Sequence, residues 1–386
     1  MKRNFSVIGY DSLAVPEFSE KSQFEWVSFG SDNMYPYYLD DLLFNSAIHS
    51  AICKGTADMI YAGGLDADDK ENQQEQWLKV QQLFNTDCLY KIAYDLKLYG
   101  NAYINVIWSV DRTQIAEVHH LQGNSIRCGQ ADDQEKVETF YYSADWNQYN
   151  QQKFAPQAIP AFSTDDRRAA SQIIHLKTYN PISYYYGLPD YIGSTNYIEL
   201  DKDISEFHLN NIKNGLFPSM LISFNNGIPT EEERVMSERM IYEKFSGASN
   251  AGKILLSWND DKDDAPTFEP IDNNSPHETY SYLSSEVVTK ILSGHRVTSP
   301  LMFGLREEGG GFGSNTDEMQ RAFELYQTTV ISGFQETILE GLRPILAVNN
   351  ITIPIKFKSY VPASWYNNIE AEPTQFSAQE PATDEE

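Results

Sequence analysis

The chain has 386 residues, 41% of them hydrophobic and 13% aromatic, enough for two or three domains with real cores and too apolar for a disordered protein. Its 29 Lys and Arg stand against 55 Asp and Glu, a net charge of −26, which argues against tight static binding of DNA by phosphate neutralisation. Such a surplus of acid reads as a solvated surface, or as a wall that repels polyanions so that they slide past.

No apolar run reaches the length of about 18 residues that a membrane span needs, and Met1-Lys2-Arg3-Asn4-Phe5-Ser6 lacks the apolar core of a signal peptide. The expectation is a soluble, intracellularly made protein without membrane contact. Cys53, Cys88 and Cys128 include no Cys-x-x-Cys pair and are odd in number, so buried thiols are expected rather than a disulfide or a zinc site.

In chain order, residues 1 to 44 are aromatic and irregular around Trp26, Phe29, Tyr35 and Pro36 and read as an arm packed in cis or on a neighbour. Helices are expected at Asn45 to Tyr61, Gln73 to Phe84 and Leu89 to Tyr99, the last stopped by Gly100. From Asn101 the period changes from helical to alternating. Short strands are expected at Asn101 to Trp108, Ala116 to Leu121, Val137 to Tyr142 and Gln172 to Leu176.

A helix then covers Tyr191 to Asn214, with Glu199, Asp201, Asp203 and Glu206 on its polar side. An α/β insert follows: a strand at Phe217 to Phe224, a helix opened by the capping box Thr230 to Glu233, and a strand at Lys253 to Trp258. After the acidic turn Asn259 to Asp264 come a short strand at Thr267 to Ile271 and a helix from Pro276 to Leu292. Two helices thus flank a small module whose ends must be close.

Arg306, Glu307, Glu308, Gly309, Gly310, Gly311, Phe312 and Gly313 form a glycine-rich loop. Met319, Phe323, Tyr326, Val330, Phe334, Ile338, Leu342 and Ile345 behind it draw one apolar stripe down a helix. Asn315 with Glu318 should cap that helix and Pro344 should kink or end it. Its length would be roughly 40 Å. Ile351 to Phe357 reads as an edge strand, and residues 369 to 386, rich in acid and free of bases, as a disordered tail.

The residues give little sign of catalysis. Gly247 to Lys253 matches the start of a phosphate-binding loop, but a helix precedes it, a strand follows, and Ile254 stands where the metal-binding Ser or Thr belongs. The Gly309 to Gly313 run puts Ser314 in the place of the last glycine of a dinucleotide fingerprint. His119 and His120 point to opposite faces of a strand and cannot easily share a metal. The Asp260 to Asp264 turn lacks the glycine and distal Glu of a calcium loop. No cofactor and no metal site is expected.

This order of elements resembles the portal proteins of tailed bacteriophages. The similarity rests on Leu98-Tyr99-Gly100-Asn101-Ala102-Tyr103-Ile104, on Tyr186-Gly187-Leu188-Pro189 before a helix ending Asn214-Gly215, and on Phe245-Ser246-Gly247 through Leu256. Arg296 to Gly304 and Ser314-Asn315-Thr316-Asp317-Glu318 complete it.

The resemblance implies an α+β fold assembled as a cyclic ring, usually of twelve subunits, with no enzymatic activity. Residues 45–190 would begin the wing, after the 1–44 arm. Residues 191–215 and 275–293 would be the stem helices and 216–274 the clip between them. A tunnel loop at about 304–315 within 294–315, a long wing helix at 316–346, a reduced crown at 347–368 and the 369–386 tail would follow. Glu199, Asp203, Glu206 and Lys213 become candidates for the channel wall. Glu231, Glu232, Asp260, Asp261 and Asp263 become candidates for docking on the clip.

The implied function is a channel at the unique capsid vertex for packaging and ejecting double-stranded DNA. The implied partners are the terminase large subunit, the major capsid or scaffold protein and a head-tail adaptor. The implied location is the virion, after assembly in the host cytoplasm. Two alternatives remain: another ring-forming connector or minor capsid protein, and a nucleotide-binding enzyme using Gly247 to Lys253. About twelve copies would carry roughly −300 in charge, and a share facing a channel would repel DNA.

Overall fold

The computed structural model describes residues 18–21, 23–214, 220–224, 229–245, 254–258, 276–305 and 316–359. In chain order come β1 (Phe18–Glu20), β2 (Val27–Phe29), α1 (Tyr35–Asn45), α2 (Ala47–Tyr61), β3 (Leu65–Ala67), α3 (Gln74–Leu83) and α4 (Thr86–Tyr99). Next are β4 (Asn101–Trp108), β5 (Ile115–Leu121), β6 (Ile126–Cys128), β7 (Thr139–Tyr142), β8 (Gln157–Pro160) and β9 (Ser171–Lys177). Then α5 (Thr195–Asn214), β10 (Met220–Phe224), α6 (Glu231–Phe245), β11 (Ile254–Trp258) and α7 (Pro276–Gly294). Last are α8 (Thr316–Tyr326), a π-helical turn (Gln327–Ile331), α9 (Ser332–Val348) and β12 (Ile355–Phe357). This is the expected α+β mixture.

One unit is built from Tyr37–Ile52 and Asp190–Pro300, another from Pro16–Pro36, Cys53–Pro189 and the chain from Leu301 onward. In the first, α5 and α7 pack on each other, so the ends of the insert between them are close, as the flanking helices required. Within the insert β10 and β11 pair in parallel, Met220 with Ile254 through Phe224 with Trp258. Helix α6 is the crossover that a parallel pair needs. The Glu half of its capping box forms: Thr230 N and Oγ1 both donate to Glu233 Oε2 at 3.0 Å.

The second unit centres on the antiparallel sheet β5-β4-β9, with α4 and α9 against it. Asn85 caps α4 by accepting from Cys88 N at 2.7 Å, and Gly100 ends the helix at φ +67°, a left-handed conformation that costs glycine nothing. On α9 the stripe residues Phe334, Ile338, Leu342 and Ile345 are buried, each adding about 1.5–3 kcal/mol over exposure. Gly341 lets the helix lie close on β9, since a Cβ there would stand 2.1 Å from Leu176 Cδ2.

Several expectations need correction. Tyr35 to Asn45 lies in the stretch read as irregular, yet it is helix α1; Pro36, in its first turn, is where a proline costs no hydrogen bond. Pro344 does not end the long helix, which runs on to Val348, and the helix is interrupted instead by the π turn at Gln327–Ile331. Only Ile355–Phe357 of the last alternating stretch forms a strand, paired with β3; Ile351 and Ile353 are buried without a ladder. Strands β6 and β8 belong to a second sheet, β6-β7-β8, and were not expected.

Part of the arm packs in cis. Phe29 stacks on Tyr186 with ring centroids 4.1 Å apart, and Trp26 lies edge-on to Trp146 at 5.3 Å. Residues 1–17, the expected strand at Thr267 to Ile271, the cap residue Asn315 and the tail lie outside the described residues.

Candidate functional site

The four stem candidates sit on α5, and the unit containing them treats them differently. Glu199, Asp203 and Glu206 recur at helical spacing on one face. At its upper end that face is occupied by α1: Tyr38 Oη donates to Glu199 Oε2 at 3.3 Å, and Lys202 Nζ donates to Asp41 Oδ2 at 2.6 Å. Burial, then the Glu199 charge, pushes the Tyr38 hydroxyl well above its ordinary pKa. The hydrogen bond to Asp41 raises that of Lys202. One turn further on the face is open, and Asp203 and Glu206 are exposed. Lys213 lies in the last turn of α5.

The start and end of this helix pair are closely fitted. A Cβ on Gly294, the last residue of α7, would stand 2.1 Å from Ser194 Oγ, so only glycine lets α7 approach the turn that leads into α5. Arg296 faces Asp190 at 3.6 Å. Further along, α5 and α7 expose apolar side chains, with Phe207 42%, Leu209 49% and Tyr282 71% exposed.

Of the docking candidates, Glu231 and Glu232 are exposed in the first turn of α6, where their charge also complements the helix dipole. Asp260, Asp261 and Asp263 lie outside the described residues, as does the Gly247 to Lys253 loop. The elements around that loop are described, and they are the expected ones: α6 before it and β11 after it. A phosphate loop needs the reverse order.

The glycine-rich loop from Arg306 to Gly313 also lies outside the described residues, but both of its flanks are fixed in the second unit. On the entry side Phe303 sets its ring edge-on to Tyr326 at 5.8 Å. Gly55 leaves room for it, since a Cβ there would stand 2.7 Å from that ring. Tyr326 Oη is 2.9 Å from Thr56 Oγ1. On the exit side α8 begins at Thr316 and carries Phe323 and Tyr326 into the same core.

The two histidines read as unable to share a metal do go separate ways: His119 Nε2 meets Glu117 at 2.8 Å and His120 Nε2 meets Asp95 at 2.6 Å. Sequence reasoning missed Tyr38 and Asp41, whose partners are 161 residues away. The i to i+3 spacing of two polar residues on α1 was the one available sign.

Solved structures share this fold. A chain in the "Neck of empty GTA particle computed with C6 symmetry" superposes with a TM-score of 0.58 at 16% identity, covering 87% of each chain. The model of the phage portal protein family matches residues 83–334, and the chain belongs to that family. The probable portal protein of Haemophilus phage HP1 (strain HP1c1) is 24% identical over 192 residues, 50% of this chain and 54% of that protein. An uncharacterized protein of Rickettsia bellii (strain RML369-C) is 33% identical over 88 residues, 22% of this chain and 23% of its own length. The chain thus spans about half or less of the curated relatives it matches.

Proposed function

We propose that this chain is the subunit of a closed portal ring of about twelve copies at the unique capsid vertex, a conduit for double-stranded DNA rather than an enzyme. The observation that carries the reading is the insert between α5 and α7, found in a chain whose family match runs from α3 to α9. In this reading α5 and α7 are the stem and the β10-α6-β11 insert is the clip. Residues 306–313 are the tunnel loop.

Asp203 and Glu206 then supply wall charge that DNA slides past, with Lys213 beyond them, while Glu199 serves to hold α5 on α1. Glu231, Glu232, Asp260, Asp261 and Asp263 meet the terminase large subunit during packaging and a head-tail adaptor afterwards. The wing meets the capsid or scaffold protein, and assembly takes place in the host cytoplasm. The apolar side chains exposed on α5 and α7 support an assembled state, since head-to-tail contacts between copies would cover them.

Cryo-electron microscopy of the purified protein tests this directly. Top views with about twelvefold symmetry and an open centre are expected, and a closed dimer without a channel would overturn the reading. Deletion of Gly309 to Gly313 should leave rings intact and impair DNA packaging or retention; loss of the ring instead would make the loop structural.

A further inference from the structure

On a chain with a net charge of −26, three arginines of the second unit gather in one place. Arg112, Arg167 and Arg168 line an open depression of about 620 Å³ together with Asp165 and Asp166. It lies between the turn that joins β4 to β5 and the segment that leads into β9. Both walls are fixed. Gln172, 2% exposed, donates from Nε2 to Asp166 O at 2.6 Å and accepts at Oε1 from Ser163 N at 3.2 Å and Trp108 Nε1 at 2.9 Å. The Arg167 guanidinium stands 4.8 Å from the centre of the Trp108 ring and donates to Thr164 O at 2.8 Å and Arg112 O at 3.3 Å. Arg112 Nη1 donates to Ser109 O at 3.1 Å and Trp108 O at 3.4 Å.

The nearby acids leave two of these charges unanswered. Arg168 and Asp166 pair with each other through two bonds, at 2.8 and 2.6 Å. Asp111, on the β4–β5 turn, accepts from Ser109 Oγ at 2.6 Å and Thr113 Oγ1 at 2.9 Å. Arg112 and Arg167 have no carboxylate partner among the described residues, and Nη2 of each donates to none of them.

We propose that this depression is the docking site of the chain's own acidic tail, residues 370–386, whose carboxylates take the open N–H groups of Arg112 and Arg167. The tail carries Glu370, Glu372, Glu380, Asp384, Glu385 and Glu386 and no Lys or Arg, and a guanidinium fork matches a carboxylate with two parallel bonds. Duplex DNA is the poorer fit, because it needs a run of bases along its phosphates, and here Asp165 and Asp166 share the depression. The chain also returns close enough. Asn349 exchanges two hydrogen bonds with the Ile115 backbone, at 2.8 and 2.9 Å, three positions from Arg112. From Asn349 to Ser359 the chain can travel at most about 36 Å, and beyond Ser359 it extends about 38 Å by Glu370 and about 70 Å by Glu380. Tethering gives such a segment an effective concentration on the order of millimolar, so ion pairs that are individually weak at a surface suffice to hold it.

The test is arginine accessibility in the full-length protein, read by phenylglyoxal modification and peptide mass mapping. The comparison variant combines Glu370→Gln, Glu372→Gln, Glu380→Gln, Asp384→Asn, Glu385→Gln and Glu386→Gln, all outside the folded core. At low salt, Arg112 and Arg168 should react about fivefold more slowly in the wild type than in the variant, while Arg343, an exposed arginine paired with Glu336 on α9, reacts equally in both. Salt at about 0.5 M should remove the difference, and dilution should not. In the converse arm, Arg112→Gln with Arg168→Gln should speed cleavage after Glu370 and Glu372 by a glutamate-specific protease about threefold. Equal arginine reactivity in wild type and variant overturns the proposal. So does protection that is lost on dilution, which would give the site to another copy's tail, or protection that appears only when duplex DNA is added.

Discussion

Asn101 and Gly187 exchange two hydrogen bonds: Asn101 Nδ2 donates to Gly187 O at 2.9 Å and Gly187 N donates to Asn101 Oδ1 at 2.8 Å. The side-chain amide stands in for a strand's backbone. Gly100 and Gly187 make room for it, because a Cβ on Gly187 would lie 2.2 Å from Gly100 O. The same amide also donates to Tyr99 O at 2.8 Å and meets His175 Nε2 at 2.9 Å, so Asn101→Ala would remove one partner from three backbone groups and a histidine, each lost bond costing about 1 kcal/mol or more. A loss of about 2–5 kcal/mol is expected from denaturant midpoints at unchanged slope. A loss below 1 kcal/mol would mean that water replaces the amide.

Reversing the two exposed acids of α5 separates charge from fold. Asp203→Lys with Glu206→Lys should change stability by no more than about 0.5 kcal/mol per site, as at other open surface positions. In packaging assays the same variant should slow or stall DNA passage. Glu199→Ala should behave the other way, lowering stability by about 1 kcal/mol through the lost Tyr38 bond with a smaller effect on DNA. Equal effects of the two changes on stability would remove the distinction drawn along α5.

The thiols give a pH dependence. Burial pushes the Cys128 thiol up to about 12 and the Cys88 thiol up to about 11, from an ordinary thiol value of 9.0. A folded-state pKa above the unfolded one means that the unfolded chain loses its proton first. The stabilising contribution is therefore complete below about pH 9 and lost as pH rises toward 11–12. Unfolding free energy should fall across that window, and Cys128→Ala should flatten the slope by about one proton. The folded protein should also leave Cys88 and Cys128 unreactive toward thiol reagents at pH 8.

Phe303 anchors the entry to the glycine-rich loop, and Phe303→Ala should cost about 1–3 kcal/mol by removing its packing on Tyr326 and Gly55. Thermal melts measure this. The larger expected effect is on DNA retention, because the loop would lose one of its two fixed ends. A variant with lower stability and intact retention would place the loop's control elsewhere.

What was readable beforehand follows the range of the interactions. The stop of α4 at Gly100, the Thr230 to Glu233 box and the stripe on α9 are local, so propensity and periodicity reach them, although the start of α4 was set at Leu89, three residues past its observed start at Thr86 behind the Asn85 cap. Helix α1 was missed although Tyr35, Leu39, Leu42 and Leu43 fall at helical spacing and are buried, because the aromatic residues around Pro36 read as an irregular arm. Tyr35, at its first position, belongs to an aromatic cluster with Phe29, 5.4 Å away. The pairing of Asn101 with Gly187 spans 86 residues, and that of His49 with His295 spans 246. No period in a single sequence encodes such distances. The insert between two helices was legible in the element order itself, the family resemblance carried the fold as a whole, and neither determined which of the α5 acids α1 would occupy.

The π turn at Gln327–Ile331 acts as a spacer in the helix's phase. From Met319 to Ile345 the apolar positions recur at roughly 3.7 residues per turn, more than the 3.6 of an α-helix. A uniform helix would let that row wander around the cylinder; five residues wound more loosely absorb the surplus and bring Tyr326, Val330 and Phe334 onto the same core. Rewinding this stretch as ordinary helix with no residue removed would rotate everything upstream by roughly a quarter of a turn. Phe323 and Met319 would swing off the core, and the direction in which the chain enters α8 at Thr316 would turn with them. The count of residues in one turn thus sets the azimuth of the segment that follows the glycine-rich loop.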